Sequence, residues 1–384
     1  MKSTSRPVII TAPQGLLPAL KNELSKCGFP IVWASANAVG TRGDFNDTMR
    51  LNLNLRTAHH VLYQLSEFEC QDLDALYSHV HAVPWETYIP ADGYLSVAAT
   101  VDHPSIRDHR IVNLKSKDAI VDRIAERKGR RPDSGPDKDE TVIVVFWNRN
   151  RCSVYIDTSG QPLSRRDYRK IPLSAPMQET LAAGVIAATG YDGRGHFINP
   201  MCGSGTLAIE AALIARGRAP GLSRSNFGFM HTLLFDNNEW LKIRDEAVSK
   251  VRDGGAGGRI IATDNDPMAI EAARQNAVAA GVDGMIEFAA VDFPHTMVPQ
   301  GEGVILFNPE YGIRLGNEEE LVETYRSIGR FLKQSCQGYR AYIFTASSRL
   351  ASNVGLKAGK KMNFQSGKID CRLYEYLLFK GKGV

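Results

Sequence analysis

Apolar and polar positions along the chain fall into three successive patterns. In the first, residues 1–65, an apolar strand at 8–11 leads through Gly15 into a helix. That helix carries Leu16, Leu20 and Leu24 on one face and ends near Gly28. A short strand at 31–33 follows. Leu51, Leu53 and Leu55 then alternate with Asn52, Asn54 and Arg56, a period of two that predicts a half-buried strand. In the second pattern, residues 66–165, a helix is predicted at 73–80, a strand at 95–99 and a helix over 115–128. The last of these has Ala119, Val121, Ile124 and Ala125 as its apolar positions. Residues 131–136, Arg-Pro-Asp-Ser-Gly-Pro, are a loop by composition. Strands at 142–147 and 153–157 make a hairpin turned at 148–150.

From about residue 175 the strands become nearly continuous apolar runs, at 197–198, 260–262, 286–290, 304–307, 339–345 and 374–379. Helices at 206–215, 267–280 and 319–334 separate them. Short buried strands alternating with helices predict an α/β fold with a doubly wound, parallel sheet. The interval 216–258 reads as an insertion with a helix of its own near 239–251. The predicted division is 1–65, 66–165 and 166–384.

Composition narrows the class. Of 384 residues, 43% are hydrophobic and 23% charged, as in a soluble globular protein. No stretch approaches the roughly 20 apolar residues of a membrane span, and the polar start at 1–6 does not read as a signal peptide. The six cysteines lack C-x-x-C pairing, which favours reduced thiols in a cytoplasmic setting over disulfides or a metal site. The net charge of +4 is modest, but residues 101–170 carry 16 Lys/Arg against 11 Asp/Glu. From totals of 46 and 42, that leaves 30 against 31 elsewhere. A locally basic region beside a neutral one suggests a grip on a polyanion.

Four strand ends carry candidate chemistry. The first is Asn199-Pro200-Met201-Cys202-Gly203-Ser204-Gly205-Thr206, at the end of a strand and the start of a helix. Glycines there admit close approach by a ligand, and the helix start offers free N–H groups. Alone, Gly203-x-Gly205-x-x-Ala208 also fits a dinucleotide fingerprint. Cys202 has no neighbouring His to activate it, so packing against a ligand suits it better than a nucleophilic role. At the second, Asp264 is placed to accept from ribose hydroxyls, while Asp266 before Pro267 is also a plausible N-cap. At the third, Asp292 is a candidate acceptor for an adenine amine, with Phe293 packed on the ring.

The fourth, Phe307-Asn308-Pro309-Glu310-Tyr311-Gly312, decides the chemistry. An exocyclic amine is a poor nucleophile because its lone pair is delocalised into the ring. The Asn308 side-chain oxygen and the Pro309 carbonyl can accept its two N–H bonds and direct the lone pair at a sulfonium methyl. Tyr311 can stack on a base drawn out of its helix.

With these residues in place the chain resembles the class I RNA methyltransferases that carry a THUMP domain, the RlmL type acting on guanine N2 of 23S ribosomal RNA. The resemblance runs through 13–16 and 54–58, through 117–122 with Arg131-Pro132, through 157–160 and 165–169, and through 175–176 and 179–183. It ends in Met201–Thr206 and the Asn308–Gly312 cluster. It implies a ferredoxin-like unit, then a THUMP RNA-binding region, then a Rossmann-like, seven-stranded methyltransferase domain whose last strand is antiparallel. Some relatives are fused to a second methyltransferase, and this chain ends too early to hold one.

The implied cofactor is S-adenosylmethionine, held by Asn199, Met201, Cys202, Gly203, Gly205, Thr206, Asp264, Asp266, Asp292, Phe293 and Asn308. Asn308, Pro309 and Tyr311 are the expected catalytic residues. Lys115, Lys117, Arg123, Arg131, Arg165, Arg166 and Arg169 are the expected phosphate contacts, and no metal is expected. Two positions depart from the family pattern. Asn199 stands where Asp is usual, at a cost of about 1–2 kcal/mol to a charge-assisted contact with the cofactor's ammonium. Glu310 stands where a second Pro is usual. Ribosomal RNA is the expected substrate. Guanine N2 of tRNA, adenine N6 and a non-catalytic RNA-binding role are the competing readings, and a nicotinamide-dependent oxidoreductase is the weakest.

Overall fold

The computed structural model describes residues 5–104, 106–173, 176–254, 257–310 and 318–378. The chain divides into two compact units. The first comprises Met1–Ala12, Lys21–Arg165 and Arg224–Glu246; the second comprises Pro13–Leu20, Arg166–Ser223 and Ala247–Val384.

In the first unit the strands are β1 (Arg6–Thr11), β2 (Trp33–Ala34), β3 (Ala38–Gly43), β4 (His60–Glu69), β5 (Tyr94–Asp102), β6 (Asp133–Ser134), β7 (Thr141–Asn148) and β8 (Arg151–Asp157). They form one sheet in the order β2-β3-β1-β4-β8-β7-β5-β6. β4 pairs antiparallel with β1 on one side and with β8 on the other, and a bulge interrupts it between Gln64 and Ser66. The ferredoxin-like and THUMP halves thus share a sheet, and the 65/66 division falls within β4.

The predicted strand through Leu51, Leu53 and Leu55 is instead the end of a helix, Phe45–Asn54. Asp44 accepts from the Asp47 amide while Asp47 accepts from the Asp44 amide, each at 2.8 Å, so a capping box starts this helix. Leu51 and Leu53 are buried, and so is Asn52 between them. The Asn52 amide donates to the Thr48 carbonyl and to Thr158 Oγ1, and its oxygen accepts from Ser159 Oγ. A polar residue with its bonding satisfied inside the core imitated the outward position of a strand. The predicted helix at 115–128 begins earlier, at His109, capped by Asp108.

In the second unit the strands are β9 (His196–Pro200), β10 (Ile260–Asp264), β11 (Ile286–Ala290), β12 (Gly303–Phe307), β13 (Arg340–Thr345), β14 (Lys361–Ser366) and β15 (Ile369–Leu377). Their order is β11-β10-β9-β12-β13-β15-β14. β9 to β13 pair in parallel, whereas β15 is antiparallel to both β13 and β14. This is the expected seven-stranded Rossmann-like sheet with an antiparallel last strand.

On one face Ile198, Ile261, Ile305 and Phe307 pack with Tyr325, Ile328, Phe331 and Leu332 of the helix Glu318–Ser335. Phe197, Val304 and Leu306 are buried on the alternate positions, as befits a sheet covered on both sides. The carboxyl ends of β9, β10, β11 and β12 each deliver one of the four strand-end motifs.

The insertion has its predicted helix, at Asn237–Ser249. Its middle, Arg224–Glu246, is built into the first unit. Phe227, Phe229 and Trp240 cluster there with ring centroids 5.0–5.5 Å apart. Arg224 donates to the Pro162, Ser159 and Gln161 carbonyls, and Thr141 Oγ1 donates to the His231 carbonyl.

Candidate functional site: four strand ends of the second sheet

At the end of β9 the chain turns through Met201, Gly203 and Gly205, all at positive φ (55°, 52° and 82°), into the helix Thr206–Ala215. The two glycines serve different ends. A Cβ on Gly203 would meet nothing within 4 Å, so this position has open space for a ligand. A Cβ on Gly205 would lie 2.9 Å from Ala273 Cβ, so its absence lets two helices close on each other. Met201 has no such exemption and takes a conformation that costs a side chain about 1–3 kcal/mol. Gly205 caps the helix with no side-chain bond, and the first-turn amides of Thr206 onward have no side-chain acceptor.

Three side chains hold this loop. Asp264, ending β10, accepts from the Gly203 amide at 2.9 Å and from the Asp266 amide at 3.1 Å. Its remaining lone pairs are left for a ligand. Asn276 donates to the Ser204 carbonyl at 3.1 Å and accepts from the Lys170 and Ile171 amides. Arg169 reaches Ser204 Oγ at 3.4 Å while binding Glu179 and the Met177 carbonyl. Sequence reasoning passed over Asn276, although an Asn among the alanines of a helix interior is itself a signal of a specific partner.

Asn199 is fully buried. Its amide donates to the Leu306 carbonyl of β12 at 2.9 Å, while its Oδ1 has no partner. Asn308, just past β12, also has a buried Oδ1 without a partner. β9 and β12 are parallel neighbours, so two unsatisfied carboxamide oxygens stand at the carboxyl ends of adjacent strands. Leaving such an oxygen unbonded costs about 1–3 kcal/mol each, and a ligand carrying N–H donors removes that cost. The residues present therefore fit a cofactor with an ammonium group and a substrate amine.

Of the other expected cofactor residues, Phe293 alone takes a place at odds with its expected role. Asp266 caps the helix Pro267–Ala280 by accepting from the Met268 amide. Asp292 is exposed and accepts from the Phe293 amide. Phe293 is buried and packs edge-on against Phe307 and Phe331, so its ring belongs to the core and is not an open stacking platform. Cys202 is buried, and that burial drives its thiol well above the ordinary range, which removes a nucleophilic role. Pro309 is buried beside Asn308, and Tyr311 lies outside the described residues.

Two expected phosphate contacts need correction. Arg166 is 1% exposed and pairs with the buried Glu210, which also accepts from the Tyr168 hydroxyl at 2.8 Å. Arg169 is committed to Glu179 and the glycine loop. Counting charges along a chain cannot tell a buried guanidinium from a surface one. In the first unit Arg123 is paired with Glu86, Arg131 lies 3.4–3.5 Å from Asp118 and Asp122, and Lys117 pairs with Asp118. Lys115 lies 3.5 Å from Asp74, and Arg165 is exposed. Among the described residues no group of three His, Cys, Asp or Glu is placed to hold a metal ion, and no helix is long and apolar enough to cross a membrane.

A seven-stranded sheet of this order, with a glycine loop after its first strand and an Asn-Pro after its fourth, defines a methyltransferase fold preceded by ferredoxin-like and THUMP parts. The chain belongs to the family of the RMKL-like methyltransferase domain, whose model matches residues 166–375. The models of the RlmL ferredoxin-like domain and the THUMP domain match 7–62 and 70–157.

A Syntrophotalea carbinolica protein named ribosomal RNA large subunit methyltransferase K/L is 36% identical over 376 residues, which is 95% of this chain and 53% of the relative. The chain thus spans about half the length of the curated relatives it matches. A solved structure described as a methyltransferase complexed with SAH aligns at a TM-score of 0.89 with 26% identity, covering 100% of both chains. A Listeria monocytogenes structure, described as a predicted N6-adenine-specific DNA methylase, aligns at 0.87 with 31% identity, covering 98% of this chain and 97% of that one.

Proposed function

We propose that this chain transfers a methyl group from S-adenosylmethionine to an exocyclic base amine, guanine N2 of 23S ribosomal RNA, in the cytoplasm. The observation that carries this reading is the pair of unsatisfied oxygens on Asn199 and Asn308 at adjacent strand ends. The names of the curated relatives and the SAH-bound neighbour support it.

Bound at the glycine loop, the cofactor supplies an electrophilic methyl on sulfonium. Asn199 Oδ1 would accept from its ammonium group and the Asp264 carboxylate from its ribose hydroxyls, beside the open space at Gly203. Asn308 Oδ1 and the Pro309 carbonyl accept the two N–H bonds of the amine and turn the nitrogen lone pair toward the methyl carbon. Transfer would form the N–C bond as the S–C bond breaks, leaving a neutral thioether; neither Asn308 nor Pro309 is a base, so the surplus proton on nitrogen would pass to water.

Mass spectrometry of ribosomal RNA from cells with and without this chain tests the reading: one N2-methylguanosine is expected to disappear. The Listeria neighbour favours adenine N6 as the second reading, because the same two acceptors suit either amine. Assaying unmodified 23S RNA, tRNA and adenine-containing DNA side by side separates them. Methylation of the DNA alone, or calorimetry with no S-adenosylmethionine binding, would overturn the proposal.

A further inference from the structure

Within the second unit a cavity of about 290 Å³ is lined by Gln14, Ser348, Asn363, Phe364, Asp370 and Arg372. It lies at the carboxyl end of β13, the edge of the sheet where ligands of open α/β folds collect. β13 runs parallel to β12 with Phe307 opposite Ile343, and Thr345 is opposite Arg372 of β15. The Tyr325 hydroxyl donates to Thr345 Oγ1 at 2.8 Å and lies 3.4 Å from the Glu310 carbonyl oxygen, so one side chain ties this strand end to the Asn308 loop.

Arg372 is the cation that lines this cavity, beside Asn363, Gln14 and Asp370. The stretch around it, residues 357–372, also carries Lys357, Lys360, Lys361 and Lys368, against Asp370 alone. All five cations are exposed, and none forms an ion pair among the described residues. Most of the cations expected to meet phosphate are instead matched to carboxylates. Asn363, Gln14 and Asp370 add the amide and carboxylate groups that read a base edge.

Gln14 reaches this cavity through a close backbone approach. Gly15 has φ +92°, and a Cβ there would lie 2.4 Å from the Asn363 carbonyl oxygen and 2.8 Å from Phe364 Cα. The Gln365 amide donates to the Gln14 carbonyl at 3.2 Å. Residues near the start of the chain thus build one wall of a cavity in the methyltransferase unit, just below the roughly 300–1,000 Å³ of ligand pockets.

We propose that this cavity holds a nucleotide of the RNA next to the methylated base, with Arg372 on its phosphate and Asn363, Gln14 and Asp370 on its base. The inference rests on the RNA methyl-transfer reading, and the test separates the two. Filter binding of an unmodified 23S rRNA transcript is measured over a range of KCl for the wild type, Arg372→Ala and Asn363→Ala, with SAH calorimetry and methyl incorporation alongside.

Arg372→Ala is expected to weaken RNA binding about fivefold near 0.15 M salt and to reduce the log–log salt slope by about one. Asn363→Ala is expected to weaken binding with the slope unchanged. Both should bind SAH within twofold of the wild type. Wild-type RNA affinity in both variants, or an equal loss of SAH affinity, overturns the nucleotide site while leaving methyl transfer standing. Binding losses of the expected kind without methyl incorporation by the wild type would sink the reaction and the placement beside a methylated base, leaving an RNA nucleotide site alone. No RNA binding by the wild type sinks both.

Discussion

Asn199 and Asn308 present the same group, a buried carboxamide oxygen without a partner, at the ends of neighbouring strands. The Asn199 amide is spent on the Leu306 carbonyl, which joins β9 to β12 and aims the oxygen outward from the bond. An Asp at 199 would bring a full charge to an ammonium group but could not donate to Leu306. In a fully buried position that exchange costs the free protein a hydrogen bond and desolvates a carboxylate. Asn199→Asp is therefore expected to lower the stability of the free protein by about 2 kcal/mol in urea, and to gain more from added S-adenosylmethionine than the wild type does. Unchanged stability would contradict this role. On the proposed mechanism, Asn308→Ala removes the acceptor that orients the amine. Single-turnover rates should fall about 100- to 1,000-fold while RNA and SAH affinities stay within a few-fold; a large loss of SAH affinity with a normal rate would reverse the assignment.

At the scale of elements, the turn from β9 into the helix Thr206–Ala215 separates packing from binding along three residues. Gly205→Ala would bring a methyl to 2.9 Å from Ala273 Cβ at a φ of +82°, so unfolding by denaturant should show a loss of about 2–3 kcal/mol. Gly203→Ala meets open space and pays only the backbone term of about 1 kcal/mol, yet it fills the room left for a ligand and should weaken SAH binding at least tenfold. Equal effects of the two variants on binding would remove the distinction. These strand–loop–helix elements were legible because their strands are continuous apolar runs and their helices begin at Gly or Asp-Pro. Other elements were not. The helix Phe45–Asn54 read as a strand because Asn52 is polar yet buried, although the spacing of Asp44 and Asp47 already held its capping box. β14 went unseen because four of its six positions are polar or charged at a sheet edge, and Phe364 is its one buried residue. Arg166 and Arg169 were misplaced because their carboxylate partners, Glu210 and Glu179, stand 44 and 10 positions further along the chain.

The whole molecule is less modular than the succession of family domains along the chain. Residues 13–20 belong to the methyltransferase unit, and residues 224–246, inside the span of the methyltransferase match, belong to the first unit. The latter segment brings Phe227, Phe229 and Trp240, all buried, and Leu234, which packs on the core around Trp85, Ile143 and Ile156. The Leu233 amide donates to the Tyr88 carbonyl, and the Phe229 amide to the Thr158 carbonyl. A cut at 165/166 consequently strips the first unit of an aromatic cluster and leaves the second carrying three large apolar rings with no core around them. Trp240→Ala should cost about 3–5 kcal/mol, and the loss should fall on the unit that does not surround it in sequence. Hydrogen exchange read by mass spectrometry on the intact chain locates it: faster exchange is expected in β7 and β8, with β9 and β12 unchanged. Protection lost in β9 and β12 instead would mean that the insertion is energetically part of the methyltransferase sheet, and that the two compact units do not unfold along the boundary their contacts draw.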